Sequence, residues 1–242
     1  MLTPYKITLF LLLTAIIIGL IDGQLRKIDV RPIKPVIASI NNKCGGKRDM
    51  VFILDSSGSV GTQNFKTMLN TAANIAHHFH IGSQHTQVGV DRFSTTAKTM
   101  IKLKQWNNWL FLQMKIKQIP YVPALTYTWL ALDHARTESF SESYGARPGV
   151  PKIAIVITDG KSQDKTKTCE AAKRLRDSGV KVFAIGIGNT IDWSEILCIT
   201  IDSFSIRVRN FAALKSKSFR KRIATEACSC IIDVARRYYD DY

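Results

Sequence analysis

The chain has 242 residues and is 45% apolar, enough for one large domain or two small ones with a real core, which excludes a disordered polymer. Its 34 lysines and arginines against 19 aspartates and glutamates give a formal charge of +15, which speaks to acidic or polyanionic partners and not to fold. The five cysteines (Cys44, Cys169, Cys198, Cys228 and Cys230) argue against a zinc site, because the C-x-C of Cys228 and Cys230 has no second close pair to complete four ligands.

The first residues, MLTPYKITLFLLLTAIIIGLIDG, set Lys6 ahead of an apolar run from Ile7 to Ile21 that ends in Asp22 and Gly23. This is the pattern of a signal peptide over residues 1–23. The competing reading is an uncleaved anchor, but a run of about 15 residues falls short of the ~20 that a span needs, so no membrane span is expected after signal removal. Export would put the cysteines in an oxidising compartment as disulfides, with one left over. It also turns the basic charge away from nucleic acid and toward sulfated glycosaminoglycans, acidic matrix proteins and anionic surfaces. Residues 24–48 carry two prolines and scattered charges and read as a linker.

A domain begins near Asp49. The spacing predicts strands at MVFIL, QVGVDRF, AKTMIKL, KIAIVIT, VKVFAIGIG and FSIRV. It predicts helices over about Asn64–Phe79, Trp109–Lys117, Thr128–Arg136, Thr168–Asp177, Trp193–Cys198 and Phe211–Ala227, leaving 228–242 as a short tail. Strand and helix take turns, which predicts an α/β, doubly wound, mostly parallel sheet flanked by helices. Asp91 in VGVDRFS falls where an apolar residue is common and is expected at a sheet edge or strand end, facing solvent.

In such sheets ligands bind beyond the carboxyl ends of the strands. Two loops qualify: DSSGS after MVFIL and TDGKSQD after KIAIVI. They bring Asp55 and Asp159 to one rim, where two like charges raise a pKa or demand a counter-cation. Asp55, Ser57 and Ser59 alternate, and Gly58 and Gly61 permit a tight turn. A set of carboxylate and hydroxyl oxygens suits Mg2+, and less surely Mn2+ or Ca2+. D-x-S-x-S alone is also an ordinary turn. The HHFH stretch, with His77, His78 and His80, places successive side chains on different sides of a helix, a poor arrangement for one ion. GIGN at Gly186–Asn189 lacks the rest of a nucleotide fingerprint, and no cofactor follows from it. The run KSKSFRKR, Lys215 to Arg222, reads either as a solvated helix face or as a polyanion site.

Five segments, DMVFILDSSGSVG, VGVDRFS, IPYVPALTYTWLALDHA, KIAIVITDGKSQD and GVKVFAIGIGN, resemble in order a von Willebrand factor type A domain over 49–227. Within that family the likeness is to the A domains of matrix proteins such as matrilins, fibril-associated and type VI collagens and cochlin. The resemblance implies a Rossmann-like fold with one antiparallel edge strand. It also implies a metal-ion-dependent adhesion site (MIDAS): Asp55, Ser57 and Ser59 from the D-x-S-x-S loop, Thr126 from the G-G-x-T-x-T-G loop and Asp159 from the T-D-G loop. Its hydroxyls would touch the ion, its aspartates would act largely through water, and a carboxylate of a matrix protein such as collagen would fill the open position. It further implies that Cys44 pairs with Cys228 or Cys230, and the predicted helices bring Cys169 and Cys198 to one side of the sheet as a second pair. The chain departs from the family at Pro123–Trp129, where all three loop glycines are gone. The expected function is a secreted, non-catalytic matrix adhesion protein. The alternative is a basic structural protein binding glycosaminoglycan, acidic polymer or biomineral by charge. No motif sets a histidine base beside Ser57, which speaks against an enzyme.

Overall fold

Strand β1 (Arg48–Asp55) is buried along its whole length because it lies at the centre of a sheet covered on both faces. A computed structural model describes residues 44–200 and 204–240, residues 230–240 by backbone alone; the expected signal segment 1–23 and most of the linker 24–48 lie outside the described residues. After β1 come α1 (Thr62–Ala76), β2 (Thr86–Phe93), β3 (Ala97–Ile101), α2 (Trp109–Lys117) and α3 (Thr128–His134). Then follow β4 (Lys152–Thr158), α4 (Lys165–Asp177), β5 (Val180–Ile187), α5 (Trp193–Ile199), β6 (Ser205–Val208) and α6 (Lys217–Asp240). The sheet order is β3-β2-β1-β4-β5-β6, with β3 alone antiparallel to its neighbour.

The side-chain period of a strand divides the core in two. Met50, Phe52 and Leu54 face one cluster with Phe65, Met68 and Ala72 of α1. Val51 and Ile53 face the other, with Ala131 and Leu132 of α3, Ala171 and Leu175 of α4 and Ile196 of α5. Burial at Thr168, Ala171, Ala172 and Leu175 follows the three-and-four spacing of one helix face. Side-chain oxygens of Asn108, Asp164 and Asp192 cap α2, α4 and α5 by accepting from Leu110, Lys167 and Ser194 N–H groups. At the foot of the sheet, the buried Asp49 carboxylate is gripped by the Arg147 guanidinium at 2.6 and 2.9 Å and by its N–H at 2.7 Å.

Two disulfides are present, Cys44–Cys228 and Cys169–Cys198. The last helix differs from expectation. Phe211–Lys215 is a 3-10 turn and α6 runs on to Asp240, through the segment expected as a tail, because no glycine or proline stops it. Asp91 also departs from its expected place at an edge facing solvent. It lies within β2, between β1 and β3, fully buried, accepting from Ser139 Oγ at 2.6 Å. A π-helical turn, Ala135–Ser139, brings Ser139 under the sheet, and Thr99 Oγ1 links Ser139 to His134.

Candidate metal centre

The chain leaves β1 toward β2 and β3 on one side and occupies β4, β5 and β6 on the other. The switch point therefore lies between the carboxyl ends of β1 and β4, where such sheets place their ligands. Asp55 is the last residue of β1, and Asp159 follows the last residue of β4.

The first loop turns on its own carboxylate. Asp55 Oδ1 accepts from Ser57 N–H at 2.7 Å, and Oδ2 accepts from Thr158 Oγ1 at 2.6 Å. Ser56 N–H and Oγ both donate to Phe93 O, which fixes the chain to β2. Gly61 has φ +74°, a left-handed value that releases the chain into α1, whereas Gly58 takes no such value. Ser57 Oγ lies 3.1 Å from Ser59 Oγ, which donates to Asp159 Oδ1 at 2.8 Å. A hydrogen-bonded run thus joins Asp55, Ser57, Ser59 and Asp159.

The loop Pro123–Thr128 closes over the first. Gly58 N–H donates to Ala124 O, Tyr127 N–H to Ser94 O and Gln163 N–H to Thr126 O, each at 2.9 Å. Thr126 is buried. Gly160 shows where its hydroxyl sits: a Cβ built there would lie 3.3 Å from Ser59 Oγ and 3.7 Å from Thr126 Oγ1. The missing side chain leaves a notch lined by hydroxyls from two loops beside a carboxylate from the third. All five sequence-predicted residues meet at this rim, even though Pro123, Ala124 and Leu125 replace the usual glycines.

Burial raises the Asp55 carboxyl to about 6 against the pull of Thr158 and Ser57, with Asp159 adding to the rise. Asp159 is raised as well, again chiefly by burial. Among the described residues no lysine or arginine forms an ion pair with either carboxylate, so the rim lacks positive charge in spite of the basic chain. Two carboxylates, three hydroxyls and a side-chain-free notch form a hard-oxygen donor set that fits a small divalent cation. Among the described residues no three His, Cys, Asp or Glu side chains gather around one point, the HHFH histidines included.

Several supporting residues escape motif reading. Tyr121 Oη donates to Ser57 O at 2.9 Å and accepts from Gly61 N–H at 3.1 Å, so it props the serine loop from the side. Glu195, on α5, accepts from Ser162 N–H with both oxygens at 3.2 Å and steadies the loop after Asp159; burial pushes its carboxyl up to about 7. Thr158 sits inside the T-D-G segment and was legible there as a hydroxyl. Tyr121 lies inside the IPYVPALTYTWLALDHA segment without belonging to its threonine motif, and Glu195 lies far from the motifs and carries no local signal.

The family model described as von Willebrand factor type A domain matches residues 49–221. Chicken (Gallus gallus) matrilin-1 is 36% identical over 148 residues, 61% of this chain and 30% of that protein. The collagen alpha-1(XXI) chain of Xenopus laevis is 34% identical over 207 residues, 83% of this chain and 21% of that one. The chain thus spans less than a third of either relative. A solved structure of proximal thread matrix protein 1 from the mussel byssus, described with a zinc-occupied MIDAS motif, superposes with a TM-score of 0.72 at 26% identity. That match covers 77% of this chain and 49% of the mussel protein. Among the described residues no helix is long and apolar enough to cross a membrane. With its six-stranded sheet, its rim of oxygen donors and these relatives, the chain belongs to the von Willebrand factor type A domain family, in its extracellular-matrix branch.

Proposed function

We propose that the chain is a secreted, non-catalytic adhesion module of the extracellular matrix. In this reading it holds a divalent cation, Mg2+ first with Mn2+ or Ca2+ as substitutes, on Asp55, Ser57, Ser59, Thr126 and Asp159. When bound, the cation supplies a hard Lewis-acidic position for a carboxylate oxygen of a matrix partner such as collagen. The chain's own residues prepare that position. Ser57, Ser59 and Thr126 offer neutral oxygens, Thr158 and the Ser57 N–H fix the Asp55 carboxylate, and Tyr121 holds the serine loop. The observation that carries the reading is the run from Ser57 through Ser59 to Asp159 beside the Gly160 notch, with no described basic side chain in an ion pair with its carboxylates. The mussel protein's zinc makes Zn2+ the natural comparison metal. Retention on immobilised collagen and matrix extract tests the proposal. It is expected in Mg2+ and lost both in EDTA and in Ser57→Ala; equal retention in EDTA overturns it.

A second reading, binding of sulfated glycan by charge, rests on the start of α6. Lys215, Lys217 and Lys221 are exposed there, and Arg222 pairs with Glu226 at 3.2 Å. From this end α6 leads to Cys228 and its bridge to Cys44, at the foot of the sheet and away from the rim. Salt-sensitive, chelator-insensitive heparin retention that falls in Lys217→Glu with Lys221→Glu supports this reading, and retention indifferent to both ends it.

A further inference from the structure

The sheet edge formed by β3 carries a surface that the rim does not use. From Arg92 to Leu132 the chain holds one arginine, five lysines and no aspartate or glutamate. This stretch includes β3, the turn after it and α2. Only Leu112 and Ile116 of α2 are buried, while Leu110, Phe111 and Met114 are 63%, 55% and 44% exposed. Beside them a groove of about 210 Å3 runs between β3 and the end of α2, lined by Met100, Ile101, Trp106, Lys115, Ile119 and Pro120.

Trp106 packs against the apolar core and makes ring contacts at the surface. It stacks on Phe111 at 6.3 Å, with Lys115 Nζ 5.6 Å from its centroid. Its Nε1 is shielded from solvent and meets no acceptor among the described residues, so the ring has no hydrogen bond to break in adjusting to an occupant. The outer edge of β3 pairs with no described strand.

We propose that β3, Trp106 and α2 form a second docking surface, engaged without a divalent cation, for an acidic protein segment that carries apolar side chains. The charge decides the sign of the partner, since a stretch with six basic residues and no acid complements a net negative segment. The exposed Leu110, Phe111 and Met114 decide its character, since apolar side chains clustered beside a groove gain by being covered. The open strand edge suits an extended backbone that adds to the sheet. A sulfated glycan would meet the lysines but leave the apolar side chains wet. A second copy of this chain would bring like charges together, and a bilayer cannot enter the groove.

The test uses the full chain in EDTA and a fluorescein-labelled peptide of alternating glutamate and leucine, read by fluorescence anisotropy. A glutamine–leucine peptide, a heparin oligosaccharide and phosphatidylserine vesicles are the comparison ligands. The glutamate–leucine peptide is expected to bind at least about tenfold more tightly than the glutamine–leucine peptide. Phe111→Ser with Met114→Ser is expected to weaken it at least about tenfold, and Lys115→Glu with Lys117→Glu to weaken it about as much. All four positions are exposed or half-exposed, and circular dichroism checks that both variants fold. Loss of binding in EDTA overturns the proposal by returning the peptide to the metal rim. So do equal binding of the two peptides, preferential binding of heparin or vesicles, a concentration-dependent dimer abolished by the serine variant, and indifference to both variants. Because binding is read in EDTA, this outcome is separate from that of the cation site.

Discussion

Asp91 shows how a single side chain can be misplaced by local reasoning. Its partner, Ser139, lies 48 residues further along the chain and reaches it only through a π-helical turn. Burial pushes the Asp91 carboxyl above its ordinary 3.8, with Ser139, His134 and Thr99 pulling the other way. The folded state therefore holds this proton to higher pH than the unfolded chain, and the associated stability is lost as pH rises above about 4. Asp91→Asn removes the titration. Thermal unfolding in EDTA should show the wild type losing stability relative to Asp91→Asn as pH rises above about 4, whereas parallel profiles would mean that the carboxyl ionises without cost. Gly160 is the second informative residue. A side chain there enters the notch between Ser59 and Thr126, and its backbone does not need a left-handed φ. Gly160→Val should lower Mg2+ affinity at least about tenfold, by calorimetric titration, while leaving the metal-free melting temperature near that of the wild type. Unchanged affinity would remove the notch from the site.

At the scale of elements, the central strands and most helices were legible because their signals are local. Apolar runs at β1, β4 and β5 mark strands buried on both faces, and helical spacing marks α4, although it starts at Lys165, three residues before the expected Thr168. The end of α6 was not legible, since nothing in its composition says where packing stops. The site divides in the same way. Asp55, Ser57, Ser59 and Asp159 stand in contiguous motifs, while Tyr121 and Glu195 support them across loops that only the tertiary fold brings together. The disulfides join elements whose separation sets their effect. Cys44–Cys228 spans 184 positions and Cys169–Cys198 spans 29. Loop-closure entropy alone assigns them about 5 and about 3.5 kcal/mol. Urea unfolding of Cys44→Ser should therefore show the larger loss, by about 1–2 kcal/mol over Cys169→Ser. The reverse order would mean that native packing, and not chain closure, governs these bridges.

The whole molecule sets a strongly basic chain around an acidic, hydroxyl-lined rim. Its charge of +15 favours acidic partners at long range, while the rim keeps two carboxylates that form no ion pair with a described basic side chain. The proposed cation would reconcile the two, because it would compensate the rim carboxylates and present a positive point to an incoming acidic side chain. The most direct measurement is the melting temperature of the wild type and Asp159→Ala with Mg2+ and with EDTA. Binding to the native state alone stabilises it by mass action, about 2.7 kcal/mol at a hundredfold excess over the dissociation constant. The wild type should melt higher in Mg2+, and Asp159→Ala should fold yet show no shift. A wild type indifferent to Mg2+, or a shift that survives in Asp159→Ala, would contradict the account.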